Sequence, residues 1–491
     1  MRLSLSDSDI RYYPYYLMII SGGCLTGFIT CLAAGMELKW FIAYLIGILI
    51  VITLALSSQQ RRLALGLFTL FIPFFIGKRI FSSEYLMITG GPSSIGLFLY
   101  DIPLTFLLVL FVKERVLRRN SSFYIPKVFL PFFLYIIWSG VSIINSIEPL
   151  LTLIELIWLC KMAIVLILVV NLVKTRNDLI LVFSLLIVGL FIQEIITFSQ
   201  AYLKIWYTFG GHIEETLFQT ATEKEVFRAG GAFGPHNVQS AYYVLLIPLA
   251  IGLFFGTRNR NLKFVLFLLI LGGLYSLILT YSRNGYLSVA SAIVVIVFLA
   301  WRRNVLNWKH LMVGVWLLIT VGGLIIAILG KDFIDRVTSF KAIEPRWEGA
   351  KIALNMLKSY PFVGVGLNNF AIAMGDGNYS PEGISSLQQT YFQGQYFATV
   401  VHNKYLLVAS EIGMMGLGIF LWTLYIVYSY AFKLLANQKT FYWAIGTGMV
   451  GALVGASIQM LFDIYNADLL ITLFWVFVGL TFASYKISLG E

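Results

Sequence analysis

His402 has the side chain best suited to proton transfer in this chain. It lies in the segment VVHNKYLLVASEIG, where a polar loop runs into an apolar stretch. An imidazole with an ordinary pKa of about 6.5 can accept a proton at neutral pH. His402 is therefore a candidate general base, although a lone histidine is more often structural.

Two arginines are placed where they would meet an anion. Arg283 occupies the short turn TYSRNGYL between two apolar runs, where its guanidinium is either a snorkelling anchor or a bidentate clamp for phosphate oxygens. Arg228 precedes the glycine-rich segment AGGAFGPHN, which is either an ordinary flexible loop or an anion cradle at a helix start. His236 and Asn237 in that segment are candidate substrate-binding residues. His236 is also an alternative to His402 as the general base.

A third arginine, Arg346, begins a predicted helix in the segment RWEGAKIALNMLKSYPFVGVG. Prolines flank this helix, and Trp347, Ala350, Leu354 and Leu357 recur at helical spacing as one apolar stripe. We expect such a helix to lie on a membrane or to cover a cavity. Arg346 is a candidate for binding the same anion as the other two arginines.

The composition places all of these residues in a membrane protein. Hydrophobic residues make up 59% of the chain and charged residues 12%, whereas soluble domains carry about 25% charged residues. Many apolar runs reach the roughly 17 to 25 residues that a transmembrane helix needs. We predict an all-α polytopic membrane protein with about 12–14 transmembrane helices. The predicted spans are 12–34, 40–57, 63–77, 95–112, 128–145, 151–172, 178–200, 237–256, 264–281, 284–301, 311–329, 403–432, 441–462 and 468–486.

Basic clusters fall on every second predicted loop, as the positive-inside rule requires. The net charge of +11 is therefore attributed to topology and to lipid, with no nucleic-acid partner expected. The predicted regions are amino-terminal helices (1–200), an outer loop with Arg228 (201–236), helices around the Arg283 turn (237–329), a large extracytoplasmic loop with short helices (330–402) and carboxyl-terminal helices (403–491).

Four ionisable residues fall inside predicted spans: Asp101, Glu155, Lys161 and Glu194. Burying such groups in a bilayer is costly unless they pair or face a cavity. We expect a structural ion pair among them and no catalytic role. None of the four histidines has another ligand at metal-binding spacing, so no metal is expected.

Four separated motifs resemble the O-antigen ligase and polymerase superfamily of bacterial envelope glycosyltransferases. They are the arginine in a glycine-rich segment, SRNG between two spans, RWEGAKIALNMLKSYPFVGVGLNNF and HNKYLLVASEIGMMGLGIFLW. They occur in the family's order, with the predicted sidedness, over about residues 226 to 425. The resemblance implies a C-type membrane glycosyltransferase in the bacterial cytoplasmic membrane, with its active site on the extracytoplasmic face.

The resemblance also implies particular substrates and residue roles. The donor would be an undecaprenyl-diphosphate-linked glycan, and the acceptor would be linked to lipid, glycan or protein. No metal, nucleotide or other cofactor would take part. His402 would deprotonate the acceptor hydroxyl, Arg283 and Arg228 would hold the donor diphosphate, and Arg346 would share that role.

Three functions stay open at this point. A ligase joins a finished glycan to another molecule, and a polymerase joins lipid-linked repeat units, but the motifs are common to both. A flippase for lipid-linked oligosaccharides, or another transporter, is a non-enzymatic alternative. Transporters tend to show internal repeats, which are not evident in this sequence.

Overall fold

The structure is a computed structural model, and it describes most of the chain from Leu38 onward. The described residues are 38–74, 76–82, 91–92, 94–117, 123–205, 207–208, 211–212, 216–219, 225–309, 312, 316, 320, 343–375, 379, 390–392, 395–397 and 400–490. The chain divides into two compact units, Met1–Gln60 and Arg61–Glu491. In the first unit, helix α1 (Leu38–Leu56) is mostly apolar and covers nearly all of the predicted span 40–57.

The rest of the chain consists of helices joined by short turns and hairpins. The helices are α2 (Gln60–Phe71), α3 (Asp101–Leu117), α4 (Phe129–Val141), α5 (Pro149–Leu172), α6 (Arg176–Phe198), α7 (His236–Gly256), α8 (Arg260–Leu279), α9 (Arg283–Arg302), α10 (Ile343–Ser359), α11 (Phe370–Gly375), α12 (Lys404–Leu435), α13 (Thr440–Phe462) and α14 (Asp468–Gly490). The strands form antiparallel hairpins: β1 (Gly77–Ser82) with β2 (Ser94–Phe98), β3 (Tyr207–Thr208) with β4 (Gly211–His212), β5 (Thr216–Gln219) with β6 (Glu225–Arg228), and β7 (Thr390–Phe392) with β8 (Gln395–Phe397).

Eight helices in the described part of the chain are long and apolar enough to cross a membrane. They are α5, α6 with the π-turn that extends it to Leu203, α7, α8, α9, α12, α13 and α14. The predicted all-α polytopic membrane fold is confirmed. The predicted span 12–34 and most of 311–329 lie outside the described residues.

Two predicted spans differ from the structure. In place of a span at 63–77, α2 ends at Phe71 and strand β1 begins at Gly77, because Pro73 and the residue before it are unfavourable for continuing a helix. In place of a span at 95–112, β2 ends at Phe98 and α3 begins at Asp101. Hydropathy alone does not separate a short apolar strand next to a helix from a single spanning helix.

Helix α13 lies at the centre of the bundle, and its most extensive contacts are with α7 and α9. Gly451 and Gly455 line one side of α13. A Cβ atom on Gly451 would lie 2.5 Å from the Ile296 side chain of α9, and one on Gly455 would lie 2.8 Å from Val244 of α7. Small residues let helix backbones approach closely in membranes. This packing brings the start of α9 to the end of α13.

Helix α12 is broken by a kink near its beginning. Ile412 and Gly413 have non-helical backbone angles, and Gly413 has a φ of +72°. The freed backbone groups bond to the turn that follows α10: Val365 N donates to Ser410 O at 2.9 Å, and Met414 N donates to Pro361 O at 2.8 Å. The GVG turn at residues 364–366 therefore attaches α10 to α12.

Helix α10 buries a different face from the stripe seen in the sequence. Ile352, Ala353 and Met356 are buried in a cluster that includes Val401 and Leu407 at the start of α12. The stripe residue Trp347, by contrast, is 63% exposed. The exposed stripe leaves the expectation of a membrane-lying or cavity-covering helix open, while the buried face holds α10 against the chain that carries His402.

Candidate functional site

The Arg283 turn joins α8 to α9, and Arg228 holds it in place. Arg228, only 7% exposed, donates from Nε to Thr280 O at 3.2 Å and from Nη2 to Tyr281 O at 3.1 Å. The neighbouring amide of Ala229 donates to Leu279 O at 3.0 Å. Arg228 thus satisfies carbonyls at the end of α8, and Arg283 follows as the first residue of α9.

The glycine-rich segment after Arg228 bonds to helix α6. Gly231 N donates to Gln200 Oε1 at 2.8 Å, and Ala232 N donates to Gln193 Oε1 at 3.0 Å. These two amides are therefore engaged within the protein, which favours a fixed loop over an anion cradle at these two positions. Sequence reasoning missed both glutamines because nothing near them in the chain signals a distant loop.

The start of α7 lies beside the same turn. His236 is the first residue of α7 and is partly buried. Asn237 Oδ1 accepts a hydrogen bond of 3.4 Å from Ser282 Oγ, directly before Arg283. The structure therefore brings Arg228, Asn237 and Arg283 together around one turn.

His402 lies in the tight turn that begins α12. Asn403 N donates to Val401 O at 2.8 Å, and the Asn403 side chain caps the helix by accepting from Leu406 N at 3.0 Å. Burial lowers the pKa of His402 below its ordinary value, the charge of Asp463 acts to raise it, and Arg346 lowers it further. The net direction is downward, so the imidazole is neutral at pH 7 and can accept a proton.

Asp463, which follows α13, is the site residue that sequence reasoning missed. Its side chain is buried, with Oδ1 accepting from Ile464 N at 2.8 Å and Oδ2 accepting from Gln459 Nε2 at 3.5 Å. Burial raises the pKa of Asp463, while the charges of His402 and Arg346 act to lower it. Asp463 is thus the carboxyl group that interacts with both the histidine and an arginine of the site.

Gln459 connects Asp463 to helix α9. Asn284 Nδ2 donates to Gln459 O at 3.1 Å, and Ser288 Oγ donates to Gln459 Oε1 at 3.2 Å. Both donors lie within the first two turns of the helix that Arg283 begins. This network fixes the arginine-bearing end of α9 relative to Asp463.

Arg346, near the beginning of α10, completes the group. Desolvation lowers the pKa of Arg346, and the positive charge of Arg283 lowers it further. The charge of Asp463 acts to raise that pKa. Arg283 and Arg346 are therefore close enough to repel each other. We call Arg283, Arg346, His402 and Asp463 the four-residue site. Two guanidiniums, one neutral imidazole and one carboxyl group can bind an anion and transfer a proton.

A second charged cluster lies within the helices next to this site. Lys404 interacts electrostatically with Glu155 and Glu411, and its Nζ donates to Asn466 Oδ1. Glu411 accepts a 3.3 Å hydrogen bond from Phe370 N of α11. This cluster attaches the beginning of α12, two residues after His402, to α5 and α11.

The predicted ion pair among the intramembrane charges is confirmed. Lys161 Nζ lies 2.6 Å from Asp101 Oδ1 and 4.6 Å from the centre of the Tyr100 ring. Glu155 interacts with Lys404 instead, and Glu194 lies against Gly272 of α8. In the portion of the chain that the structure describes, no group of three His, Cys, Asp or Glu residues is placed to hold a metal ion.

Residues 264–421 match the family model described as O-antigen ligase. The resemblance to the O-antigen ligase and polymerase superfamily is therefore confirmed over this segment. The match supports a function of the O-antigen ligase or polymerase type. The matched residues include Arg283, Arg346 and His402, whereas Arg228 and Asp463 lie outside them. No curated protein matches the chain.

Proposed function

We propose that this protein is a glycosyltransferase that moves a glycan from undecaprenyl diphosphate to an acceptor hydroxyl. The observation that carries the proposal is the four-residue site, in which Arg283 and Arg346 interact electrostatically beside a partly buried His402. Two like charges held together disfavour each other unless an anion joins them. A diphosphate supplies that anion, and the O-antigen ligase match favours a lipid-linked glycan as the molecule that bears it.

In the proposed reaction, His402 acts as the general base. The neutral imidazole takes the proton of the acceptor hydroxyl as its oxygen attacks the anomeric carbon of the donor sugar. The bond from that carbon to the diphosphate oxygen breaks, and the leaving diphosphate keeps the electron pair. Attack from the side opposite the leaving group would invert the anomeric centre.

Arg283 and Arg346 stabilise the negative charge that develops on the leaving diphosphate. Guanidinium groups suit this role because they stay charged and bind phosphate oxygens bidentately. Asp463 stabilises the imidazolium that forms on His402. The reaction so described uses no metal, nucleotide or other cofactor.

Arg228, Asn237 and His236 take supporting roles in this proposal. Arg228 bonds to the carbonyls of Thr280 and Tyr281, so we assign it to positioning the Arg283 turn as well as adding positive charge there. Asn237 supports the same turn through Ser282. His236, at the start of α7, is assigned to substrate binding, with His402 preferred as the base because of its interaction with Asp463.

We place the reaction on the extracytoplasmic face of the bacterial cytoplasmic membrane. The four-residue site lies at the ends of α8, α9, α12 and α13 that the positive-inside rule assigns to the outside. Arg176, Arg258 and Lys439 lie at the opposite ends of α6, α7 and α13. Lipid-linked donor and acceptor would reach the site from the outer leaflet.

The direct test supplies purified protein with undecaprenyl-diphosphate-linked glycan in the presence of EDTA, with and without a candidate acceptor. We expect a glycosylated acceptor whose mass equals acceptor plus glycan, formed about 100- to 1,000-fold more slowly by the Arg283→Ala variant. Chain growth without an added acceptor would identify a polymerase, and growth only on the added acceptor a ligase. Failure of the wild-type protein to transfer glycan to either kind of acceptor would contradict the proposal.

A further inference from the structure

A large apolar groove lies at the end of the bundle opposite the four-residue site. It has a volume of about 1110 Å³ and is bounded by α6, α7, α8 and α13. Its walls include Ile180, Val188, Leu262 and Leu268, which are 43 to 50% exposed. Within a membrane these side chains would face acyl chains.

Three basic residues from three different elements line one end of the groove. They are Arg176 at the start of α6, Arg258 between α7 and α8, and Lys439 directly before α13. The Arg176 guanidinium carbon lies 4.6 Å from the centre of the Phe441 ring, which holds this side chain at the rim. No acidic residue is among the described residues that line the groove.

We propose that this groove binds an anionic diacyl phospholipid from the adjacent leaflet. The apolar walls would take the acyl chains, and the three cations would take the phosphate head group. Basic pockets between transmembrane helices are a known way of recognising anionic lipid head groups. The inference is independent of the proposed glycan transfer, because none of the groove residues belongs to the four-residue site.

The size and the charge of the groove together favour a phospholipid over smaller anions. Sites for small organic ligands hold about 300 to 1,000 Å³, and the groove exceeds that range. Inorganic phosphate would use the rim and leave the apolar walls in contact with other molecules. A zwitterionic phospholipid would fill the walls equally well but would gain less from the three cations, because its head group carries no net negative charge.

Native mass spectrometry of the delipidated full-length protein tests the proposal. The protein is titrated with phosphatidylglycerol and, separately, with phosphatidylcholine that has the same acyl chains. We expect tighter binding of phosphatidylglycerol. Each basic residue near a lipid head group changes affinity by about fivefold, so the Arg258→Gln/Lys439→Gln double variant should lose about 25-fold in phosphatidylglycerol affinity and little in phosphatidylcholine affinity.

Two further variants make the test specific to the groove. Arg302→Gln removes an exposed cation at the same end of the bundle, outside the groove lining, and should leave the preference unchanged. Val188→Trp fills an exposed part of the wall and should weaken binding of both lipids with the rim intact. Equal affinity for the two lipids, an unchanged preference in the double variant, or full competition by inorganic phosphate would each overturn the proposal.

Discussion

Helix α9 begins with Arg283 and ends with Arg302, and the two arginines lie in different surroundings. Arg283 is close to a second arginine, Arg346, which in turn interacts with His402 and Asp463. Arg302 is exposed and lies at the end where basic residues line an apolar groove. Positive charge at one end of the bundle is thus combined with a base and a carboxyl group, and at the other end with apolar walls.

Charge alone does not distinguish the proposed reaction site from the proposed lipid contact in this protein. Both ends carry arginines at helix termini, and the positive-inside rule accounts for one of them. The distinguishing feature is the set of partners that the fold supplies. At the end that carries the four-residue site, Gln459 of α13 bonds both to Asp463 and to Asn284 of α9. No short sequence motif indicates these contacts.

Among the arginine variants the largest effect should come from Arg283→Ala, with Arg302→Ala at the other end of the same helix as the matched control. Removing one group that stabilises developing negative charge costs about 100- to 1,000-fold in rate. We expect a loss of that size in kcat for glycan transfer with Arg283→Ala and wild-type transfer with Arg302→Ala. Equal losses in the two variants would show that the ends do not differ in the way described.

Arg346→Ala should have the next largest effect. Arg346 is the second guanidinium next to Arg283, and we expect transfer to fall by about 10- to 100-fold as the diphosphate loses one of two clamps. The control is Lys358→Ala in the last turn of the same helix, which should retain full activity. If Arg346→Ala transfers glycan at the wild-type rate, the diphosphate is not bound between α9 and α10.

Gly413→Ala tests whether the attachment of α10 to α12 positions the site. A Cβ atom at Gly413 would lie 2.1 Å from Phe362 O, at a φ of +72°. We expect a loss of about 1 to 3 kcal/mol in stability, as for other overpacked sites, together with reduced transfer. Gly418→Ala in the same helix has no neighbouring atom within 4 Å and should unfold at the wild-type temperature. Unchanged thermal unfolding of Gly413→Ala would contradict this account of the kink.

Asp463→Asn should have the smallest effect on rate and a diagnostic effect on pH dependence. Asp463 raises the pKa of His402, so its loss lowers that pKa further. The acid limb of the pH profile of kcat/KM should therefore move to lower pH, with a fall of about tenfold or less at the optimum. An unshifted acid limb would mean that Asp463 does not interact with the catalytic base.

Much of the site could be predicted from the sequence because its chemistry lies in short motifs. His402, Arg283 and Arg346 each stand out as a charged or titratable side chain at the end of an apolar run. Asp463 also had a usable signal: it lies in the short turn FDIYNAD between two predicted spans, on the side to which alternating topology assigns His402. Asp463 lies beyond the four motifs, which cover about residues 226 to 425.

Other features depend on contacts that a sequence does not state. The carbonyls that Arg228 reaches are more than 50 residues away, and whether a guanidinium meets backbone or substrate is decided by packing. The span predicted at 63–77 was wrong. Hydropathy depends only on how apolar the residues are, whereas the helix ends at Phe71 and the chain turns at Pro73. A short helix followed by a turn can be as apolar as part of a spanning helix.

The proposal that His402 is the base for transfer is tested by measuring glycan transfer with purified His402→Ala protein. We expect a loss of about 100- to 10,000-fold, with unchanged thermal unfolding and with donor lipid still bound through Arg283 and Arg346. His236→Ala, at the start of α7, should retain more activity than His402→Ala. Glycan transfer by His402→Ala at the wild-type rate would contradict the account.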